Sequence, residues 1–420
     1  MPATTPSLSS NTPMSRSNWL FGLSLFLMPL GHLPLQLAYG LLFLGALLRY
    51  RDLSEGLKKP QLQPLLGAVV VYICVCAVGA WAAGFEGGIW SAGRLREHFI
   101  VFIFVGILTS VSHKDRLRLT SMMLLGGLLG VVVAWVQFAE GISPLAELLN
   151  INEKQRSILH PTMPTHLAGT GLLYDRIAFS LVSVMLGIFG LSFIFQNHQR
   201  FVYRIFWGAM SLSLLLGPAL AGSRMGLLLA LLGVLTVLFY VLWRYQRPRW
   251  MMGLAIFIFA GVFFTLSFGP IEKSNLSVTA HIERNMDRVF IWQRAVEIFV
   301  DHPLFGTGYG HYPKVAPMVY HTSDPWRPEN NHAHNIALTL LAETGIVGLF
   351  AFLFLGYRWG QAFWRRRKEG LAASAFGSCM VFISASLVHD PWFHSNLLTV
   401  FWWFAAMACV PEPEVRSAHD

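Results

Sequence analysis

The sequence has little charge and few cysteines. Among its 420 residues, 13% are charged and 54% are hydrophobic, whereas soluble domains carry roughly 25% charged residues. A chain of this length with so little charge could not cover a water-exposed surface, which excludes an ordinary soluble protein. The four cysteines, Cys74, Cys76, Cys379 and Cys409, all fall in apolar runs, where small buried side chains are expected rather than disulfides or metal ligands.

What the chain has instead is repeated apolar runs, many of them long enough to cross a bilayer. They predict an all-α polytopic membrane protein with about twelve transmembrane helices. The predicted spans are 18–31, 33–48, 62–83, 97–112, 119–139, 171–195, 205–220, 224–243, 251–268, 334–356, 371–388 and 394–410. The formal net charge of +9 therefore does not imply nucleic-acid binding, because membrane proteins carry Lys and Arg in their cytoplasmic loops.

The Lys and Arg residues also predict the topology, since most of them fall in short loops on one side. Both termini are then cytoplasmic. Residues 1–17 form a disordered cytoplasmic N-terminus, 18–410 a single transmembrane domain and 411–420 a cytoplasmic tail. A large loop, 269–333, lies between the ninth and tenth spans on the outer side, with a second, irregular outer segment at 140–170.

The large outer loop contains an amphipathic pattern over residues 285–300. Val289, Trp292, Val296 and Phe299 recur at helical spacing, which predicts a helix lying on the outer membrane surface or packed on the bundle. The helix should end near Pro303, because proline cannot continue it.

His334 is the first candidate for chemistry. His334, Leu338, Leu341, Gly345 and Gly348 follow one another at helical spacing, so one helix face would carry the histidine and two glycines of close packing. The positive end of the helix dipole disfavours an imidazolium, and a neutral imidazole suits a general base. The alternative is an interfacial histidine that only makes hydrogen bonds. Asn335 would orient the ring or a sugar hydroxyl, while His332 is expected to be peripheral.

Arg224 is the second candidate, and Ser223 before it is a plausible N-cap. An arginine at the outer start of a helix opposes both the positive-inside bias and the helix dipole, and a bound anion would resolve both conflicts. The alternative is a snorkelling side chain.

Arg288 is the third candidate, on the loop helix four residues before Trp292. Arg284 lies one turn earlier, and the two guanidinium groups could grip a phosphate. A solvated helix face is the alternative for both arginines. Arg294 and Glu297 form an ordinary pair three residues apart.

Weaker candidates are Arg94 and Arg96, placed just before the fourth predicted span, and His389 with Asp390, which could support His334. The His332–Ala333–His334 pattern is too weak to predict a metal site, so we expect no metal and no cofactor.

These motifs resemble those of the bacterial O-antigen ligases, O-antigen polymerases and O-oligosaccharyltransferases. The resemblance is carried by three stretches: Ser223–Arg224; Arg288 to Trp292 with His302 to Gly308; and His334–Asn335 with Gly345 and Gly348. It implies a glycosyltransferase of the GT-C type in the bacterial inner membrane, with a periplasmic active site.

The same resemblance implies the reaction and the residue roles. Glycan would pass from an undecaprenyl-diphosphate-linked O-antigen donor to the lipid A–core oligosaccharide, in one inverting step without metal. Arg224 and Arg288 would bind and neutralise the diphosphate, and His334 would deprotonate the acceptor hydroxyl or orient it for attack. The further candidates for substrate binding are Ser223, Arg284, Trp292 and Asn335. An O-antigen polymerase or a protein O-oligosaccharyltransferase is the nearest alternative. A lipid or solute transporter is the alternative from another class, although it predicts ionisable residues near mid-membrane.

Overall fold

The computed structural model describes residues 15–82, 85–140, 159–160, 163–173, 175–195, 201–244, 278–319 and 332–411. The helices of the first half are α1 (Arg16–Leu27), α2 (His32–Leu48), α3 (Tyr50–Leu57), α4 (Gln63–Ala82), α5 (Phe85–Ser110), α6 (His113–Glu140) and α7 (Arg176–Gly190). Those of the second half are α8 (Phe201–Leu215), α9 (Gly217–Leu220), α10 (Arg224–Arg244), α11 (Val278–Asp301), α12 (Tyr312–Val319), α13 (Ile336–Arg366), α14 (Gly370–Ser386) and α15 (Ser395–Cys409). Short 3₁₀ helices cover Met28–Leu30, Leu191–Phe195 and Pro391–Phe393.

The helices coincide with the predicted spans wherever the structure describes them; the predicted span 251–268 lies outside the described residues. Two boundaries differ substantially. α13 ends at Arg366 rather than 356. α5 begins at Phe85 rather than 97, so Arg94 and Arg96 lie inside a helix and not before one. Polar residues in its first turns hid this start from a search for apolar runs.

Four of the described helical segments are long and apolar enough to cross a membrane: α4, α6, Phe201–Leu220 and α13. A fifth is possible if α2 and α3, bent by 87° at their junction, count as one broken span. Five further apolar stretches of the described chain are shorter: Ser17–Leu30, Arg176–Gly190, Arg224–Leu238, Gly370–Ser386 and Ser395–Cys409. These segments are those of a multi-pass membrane protein, and they do not establish twelve spans.

The outer segment predicted as irregular contains a small antiparallel hairpin. Strands β1 (Leu159–His160) and β2 (Met163–Leu167) pair with Leu159 opposite Leu167. The all-α class therefore holds for the bundle but not for this segment, where two short strands pair their backbone groups locally.

Helix α15 lies at the centre of the fold. Every residue from Asn396 to Cys409 is buried, and its aromatic side chains contact α5 and α7 through Phe104–Trp403 and Phe189–Phe404 ring pairs with centroids 5.3 and 4.9 Å apart. The segment 387–394, which leads into α15, is consequently held among several helix ends.

Helix α11 confirms the amphipathic helix expected at 285–300 but corrects its orientation. The buried apolar side chains are Ile291, Ala295 and Ile298, each at most 2% exposed, whereas Val289 and Val296 of the predicted stripe are 40% and 44% exposed. The helix carries apolar residues on both faces. Packing against α13 selects one of them, and periodicity alone could not.

Candidate functional site

The start of α13 is built around Asn335 and His334. The side-chain Oδ1 of Asn335 accepts hydrogen bonds from the backbone N–H groups of Ala337 and Leu338 at 3.0 and 3.2 Å. This is an N-cap, which satisfies N–H groups that have no partner within the helix. Its amide nitrogen donates to the carbonyl of Leu387 at 3.2 Å. Both polar ends of Asn335 are thus used structurally, rather than turned toward the imidazole.

His334 precedes this cap in a left-handed backbone conformation. Its φ of 52° makes it the one non-glycine residue with positive φ in the described part of the chain. Such a conformation costs free energy for an L-residue and persists only where surrounding contacts impose it. His334 therefore occupies a position that the fold actively holds.

Asp390 provides that hold. Its Oδ2 accepts the backbone N–H of His334 at 2.6 Å, and its Oδ1 accepts the hydroxyl of Thr339 at 3.3 Å. The carboxylate side chain is 1% exposed, and burial raises the pKa of Asp390 to about 6 despite the hydrogen bonds that favour its charged form. A buried acceptor thus ties residue 334 to the segment before α15.

The imidazole of His334 remains partly accessible, with 26% of its side-chain surface exposed. Its Nδ1 lies 3.9 Å from Asp390 Oδ2, and its ring stacks on that of His389 at 5.6 Å with an interplanar angle of 9°. The expected proximity of His389 and Asp390 to His334 is confirmed. This geometry suits a general base, because a buried carboxylate beside an imidazole stabilises the protonated ring.

The prediction that His334, Gly345 and Gly348 lie on one face of a single helix is wrong. α13 begins at Ile336, two residues after His334. It is also broken at Gly345, where φ is 63° and ψ is −165°. A Cβ at Gly345 would lie 2.3 Å from the carbonyl oxygen of Leu304, and one at Gly348 would lie 1.9 Å from Thr344 Oγ1. The first glycine makes a kink against the outer loop, while the second fits a turn of its own helix.

A second group of polar side chains adjoins His389. Oδ2 of Asp175 lies 3.9 Å from His389 Nε2 and 3.7 Å from His394 Nε2. Oδ1 of Asp175 caps α7 by accepting the N–H of Ile177 at 2.8 Å. Burial raises the pKa of Asp175, but the two imidazoles and this N–H outweigh it and bring the pKa to about 2. Burial lowers the pKa of His394 to about 4.

These three side chains could hold a metal ion, since one ligand atom from each falls within 4.8 Å of the others. Two imidazole nitrogens and a carboxylate oxygen form a donor set that zinc accepts. The sequence did not indicate this group, because Asp175 is more than two hundred residues away from the histidines.

The start of α10 lies next to the same Asp175. Ser223 is the predicted N-cap: it is 5% exposed, and its hydroxyl accepts the N–H of Gly226 at 3.1 Å. Arg176 donates to the carbonyls of Ala221 and Gly222 at 3.4 and 3.3 Å, which fixes the turn leading to Arg224. The side chain of Arg224 is exposed. Contacts therefore run from the Arg224 turn through residues 175–176 to His389 and His334.

Arg284 and Arg288 both lie in α11. One turn beyond Arg288, the indole N–H of Trp292 donates to the carbonyl of Ala333 at 3.0 Å, one residue before His334. This hydrogen bond connects α11 to the segment that contains His334. Farther along α11, Arg294 donates to Glu297 at 2.6 Å, as the spacing predicted.

Arg94 and His332 both contact Phe393. Arg94 donates to its carbonyl at 2.8 Å and lies 5.9 Å from its ring centroid. The ring of His332 stacks on the same phenyl at 4.5 Å. Burial lowers the pKa of His332 to about 2, with Arg94 acting in the same direction. His332 is therefore a packed, neutral ring rather than a peripheral one.

Sequence comparison finds relatives for part of the chain. Residues 209–353 match the family model described as O-antigen ligase, and this segment contains Arg224, Arg288 and His334. Proteins named "Putative polysaccharide ligase" from Rickettsia conorii and Rickettsia felis are 24% and 25% identical over 185 residues, 42% of this chain. The chain spans less than half of these relatives, 45% of the length of each. Over the matched segment, the chain is therefore similar to the O-antigen ligase family, the resemblance that its motifs indicated.

Proposed function

We propose that this protein is an O-antigen ligase that transfers a glycan from undecaprenyl diphosphate to the lipid A–core oligosaccharide. The transfer takes place at the periplasmic face of the inner membrane, in one inverting step without a metal. The observation that carries the proposal is the position of His334, whose left-handed backbone is hydrogen-bonded to the buried Asp390. Contacts through His389 and Asp175 connect it to the start of α10.

In the proposed step, an acceptor hydroxyl attacks the anomeric carbon of the donor sugar from the face opposite the diphosphate. The new glycosidic bond forms as the bond to the diphosphate oxygen breaks, and the leaving group departs with the electron pair. His334 accepts the hydroxyl proton. Asp390, 1% exposed, lies 3.9 Å from the ring and stabilises the imidazolium that results.

Arg224 and Arg288 are assigned to the diphosphate. Arg224 stands at the N-terminus of α10, where the helix dipole adds to its charge. Arg288 belongs to α11, the helix that Trp292 ties to Ala333 beside His334. Guanidinium groups bind phosphate oxygens in a forked geometry, and stabilising the leaving charge is commonly the largest contribution to such a reaction. Arg284, four residues before Arg288 in the sequence, would supply a further guanidinium group for the diphosphate.

A lipid-linked donor accounts for the membrane setting, because the isoprenoid can reach the site sideways from the bilayer. On this proposal the bundle is a GT-C-type fold of about twelve spans with both termini in the cytoplasm. An O-antigen polymerase or a protein O-oligosaccharyltransferase would use the same site with another acceptor. Transport is disfavoured, because the His334 group lies at helix ends rather than within a span.

The test is transfer by the purified protein in vitro, with undecaprenyl-diphosphate-linked glycan as donor and lipid A–core as acceptor. The parent should transfer glycan without nucleotide, and His334→Ala should lose about 10²- to 10⁴-fold in rate. Replacing lipid A–core with unlinked glycan or with a peptide acceptor separates ligase from polymerase and from protein glycosylation. Parent-like transfer by His334→Ala would remove His334 as the base.

A chelator series tests the metal-free step. Transfer is expected to survive chelation, and Asp175→Asn should then behave identically with and without added zinc. If chelation abolishes transfer and zinc restores it to the parent but not to Asp175→Asn, the reaction needs a metal held by Asp175, His389 and His394.

A further inference from the structure

The break in α13 frees backbone groups inside the protein. In an unbroken helix, the N–H groups of Ile346 and Val347 would bond to the carbonyls of Ala342 and Glu343, four residues earlier. The conformation of Gly345, with φ 63° and ψ −165°, separates these pairs. A broken helix in a membrane protein is tolerated only where neighbouring protein satisfies the freed groups.

Residues 303–312, named here the docking turn, satisfy all four. Toward the turn, Ile346 N donates to Pro303 O at 2.9 Å and Val347 N to Leu304 O at 3.3 Å. From the turn, Thr307 N donates to Ala342 O at 3.0 Å and Gly308 N to Glu343 O at 2.8 Å. The docking turn therefore supplies the hydrogen bonds that one turn of α13 loses at the break, with a separate partner for each of the four groups.

The side chain of Glu343 extends this fit. It is fully buried, and its two carboxylate oxygens accept the N–H groups of Gly310 at 2.8 Å and Tyr312 at 3.0 Å. Both oxygens are thus occupied by the same turn. A glutamate buried at this position would be costly without those donors, so its contact with the docking turn explains why it is there.

The docking turn is the continuation of the loop helix. It follows α11 directly, and the hydroxyl of Tyr312 donates back to the carbonyl of Ile291 in α11 at 3.3 Å. On the other side, the hydroxyl of Tyr309 lies 2.7 Å from His98 Nε2 of α5. The turn thus contacts three helices, α11, α13 and α5, and connects α11 to the other two.

We propose that Glu343 is a positioning residue for the donor site. By fixing the docking turn against the break at Gly345, it sets the position of α11 and of Arg288 on it. This inference rests on the proposed function of Arg288 in holding the donor diphosphate. The contact between Glu343 and the turn does not depend on that function, so the two are tested separately.

Hydrogen–deuterium exchange tests the contact in the full-length protein. Glu343→Gln keeps the size of the side chain but leaves one oxygen acceptor for two N–H groups. Amides of the docking turn, and then of α11, should exchange about 3- to 10-fold faster, as expected for one lost hydrogen bond. Glu55→Gln, the same change at an exposed position of α3, is the matched control and should not alter exchange there.

The kinetic test uses double mutants. Glu343→Gln should raise the KM for donor about 3- to 10-fold with little change in kcat. In Arg288→Ala, adding Glu343→Gln should cause little further loss, because the residue it positions is gone. In Arg224→Ala, the two losses should multiply, as for independent sites.

Unchanged exchange in the docking turn would overturn the contact, and losses that multiply with Arg288→Ala would overturn positioning. If Glu343→Gln does not fold, Glu343→Asp is measured in its place, since it keeps both oxygens on a shorter side chain. If the parent transfers no glycan, the proposed function fails while the exchange result still decides the contact.

Discussion

Two helix starts meet at the candidate site, and they are built differently. α10 begins with a buried serine cap and presents Arg224 as an exposed side chain on its first residue. α13 begins with the Asn335 cap, and the functional candidate lies before the cap, in a left-handed conformation held by Asp390. The helix sets the backbone position of Arg224 and leaves its side chain exposed, whereas His334 is positioned by contacts from a segment distant in sequence.

The difference corresponds to the two kinds of chemistry proposed. An arginine that neutralises a diphosphate acts through charge and can adjust its long side chain to the ligand. A general base must lie within hydrogen-bond reach of one proton, so displacement of the imidazole costs more than displacement of the guanidinium. Mutations that remove the imidazole, the guanidinium, the carboxylate of Asp390 or a helix cap should therefore have unequal effects at the two helix starts.

The largest effect is expected for His334→Ala, with a fall in kcat of about 10²- to 10⁴-fold because the proposed acceptor of the hydroxyl proton is removed. Initial rates of glycan transfer at saturating donor measure it. His302→Ala, which removes an exposed imidazole in the loop after α11, is the control and should transfer like the parent. Equal losses in the two variants would show that His334 has no special role.

The next effect tests the support of His334. Asp390→Ala leaves a backbone N–H unpaired at a strained residue, a cost of about 1–3 kcal/mol, and kcat should fall about 10- to 100-fold. Asp390→Asn retains an oxygen acceptor for the N–H of His334 but removes the charge, so it should lose less. If Asp390→Asn loses as much as Asp390→Ala, the charge matters and the hold on the backbone does not.

A smaller effect is expected at Arg224. Arg224→Ala should raise the KM for donor about 10-fold, the size of a charge-assisted hydrogen bond. Arg224→Lys should recover part of that loss, because lysine keeps the charge without the forked geometry. Binding of labelled undecaprenyl diphosphate measures it directly. Undiminished binding by Arg224→Ala would leave the arginine as a surface residue.

The smallest effects are expected for the two N-cap residues, Ser223 and Asn335, and they compare the two helix starts most directly. Ser223→Ala and Asn335→Ala should each cost about 0.5–2 kcal/mol of stability, followed as thermal melting in detergent. Asn335→Ala should also lower kcat, since it loosens the residue next to His334, whereas Ser223→Ala should mainly affect stability. Equal activity losses in the two variants would argue that the two helix starts do not differ in this way.

Local patterns predicted a large part of this molecule. The apolar runs gave the helical membrane class and the positions of the described spans, and the Ser223 cap, the loop helix and the Arg294–Glu297 pair followed from short spacings. Long-range partners were less accessible. Glu343 was overlooked as one acidic residue in an apolar run, although its place two residues before Gly345 is a signal that could have found it.

By itself, then, the sequence determined what depends on neighbours within one or two helical turns: which segments are apolar, that Ser223 caps α10, and which polar residues lie near helix ends. Only the tertiary structure decided which face of α11 is buried, that Asp390 holds a residue 56 positions away, and that the docking turn closes the break at Gly345. Those outcomes depend on which surfaces meet. Where a helix has apolar residues on two faces, its sequence periodicity does not say which face is buried. The choice depends on which packing buries more apolar surface and pairs the freed backbone groups.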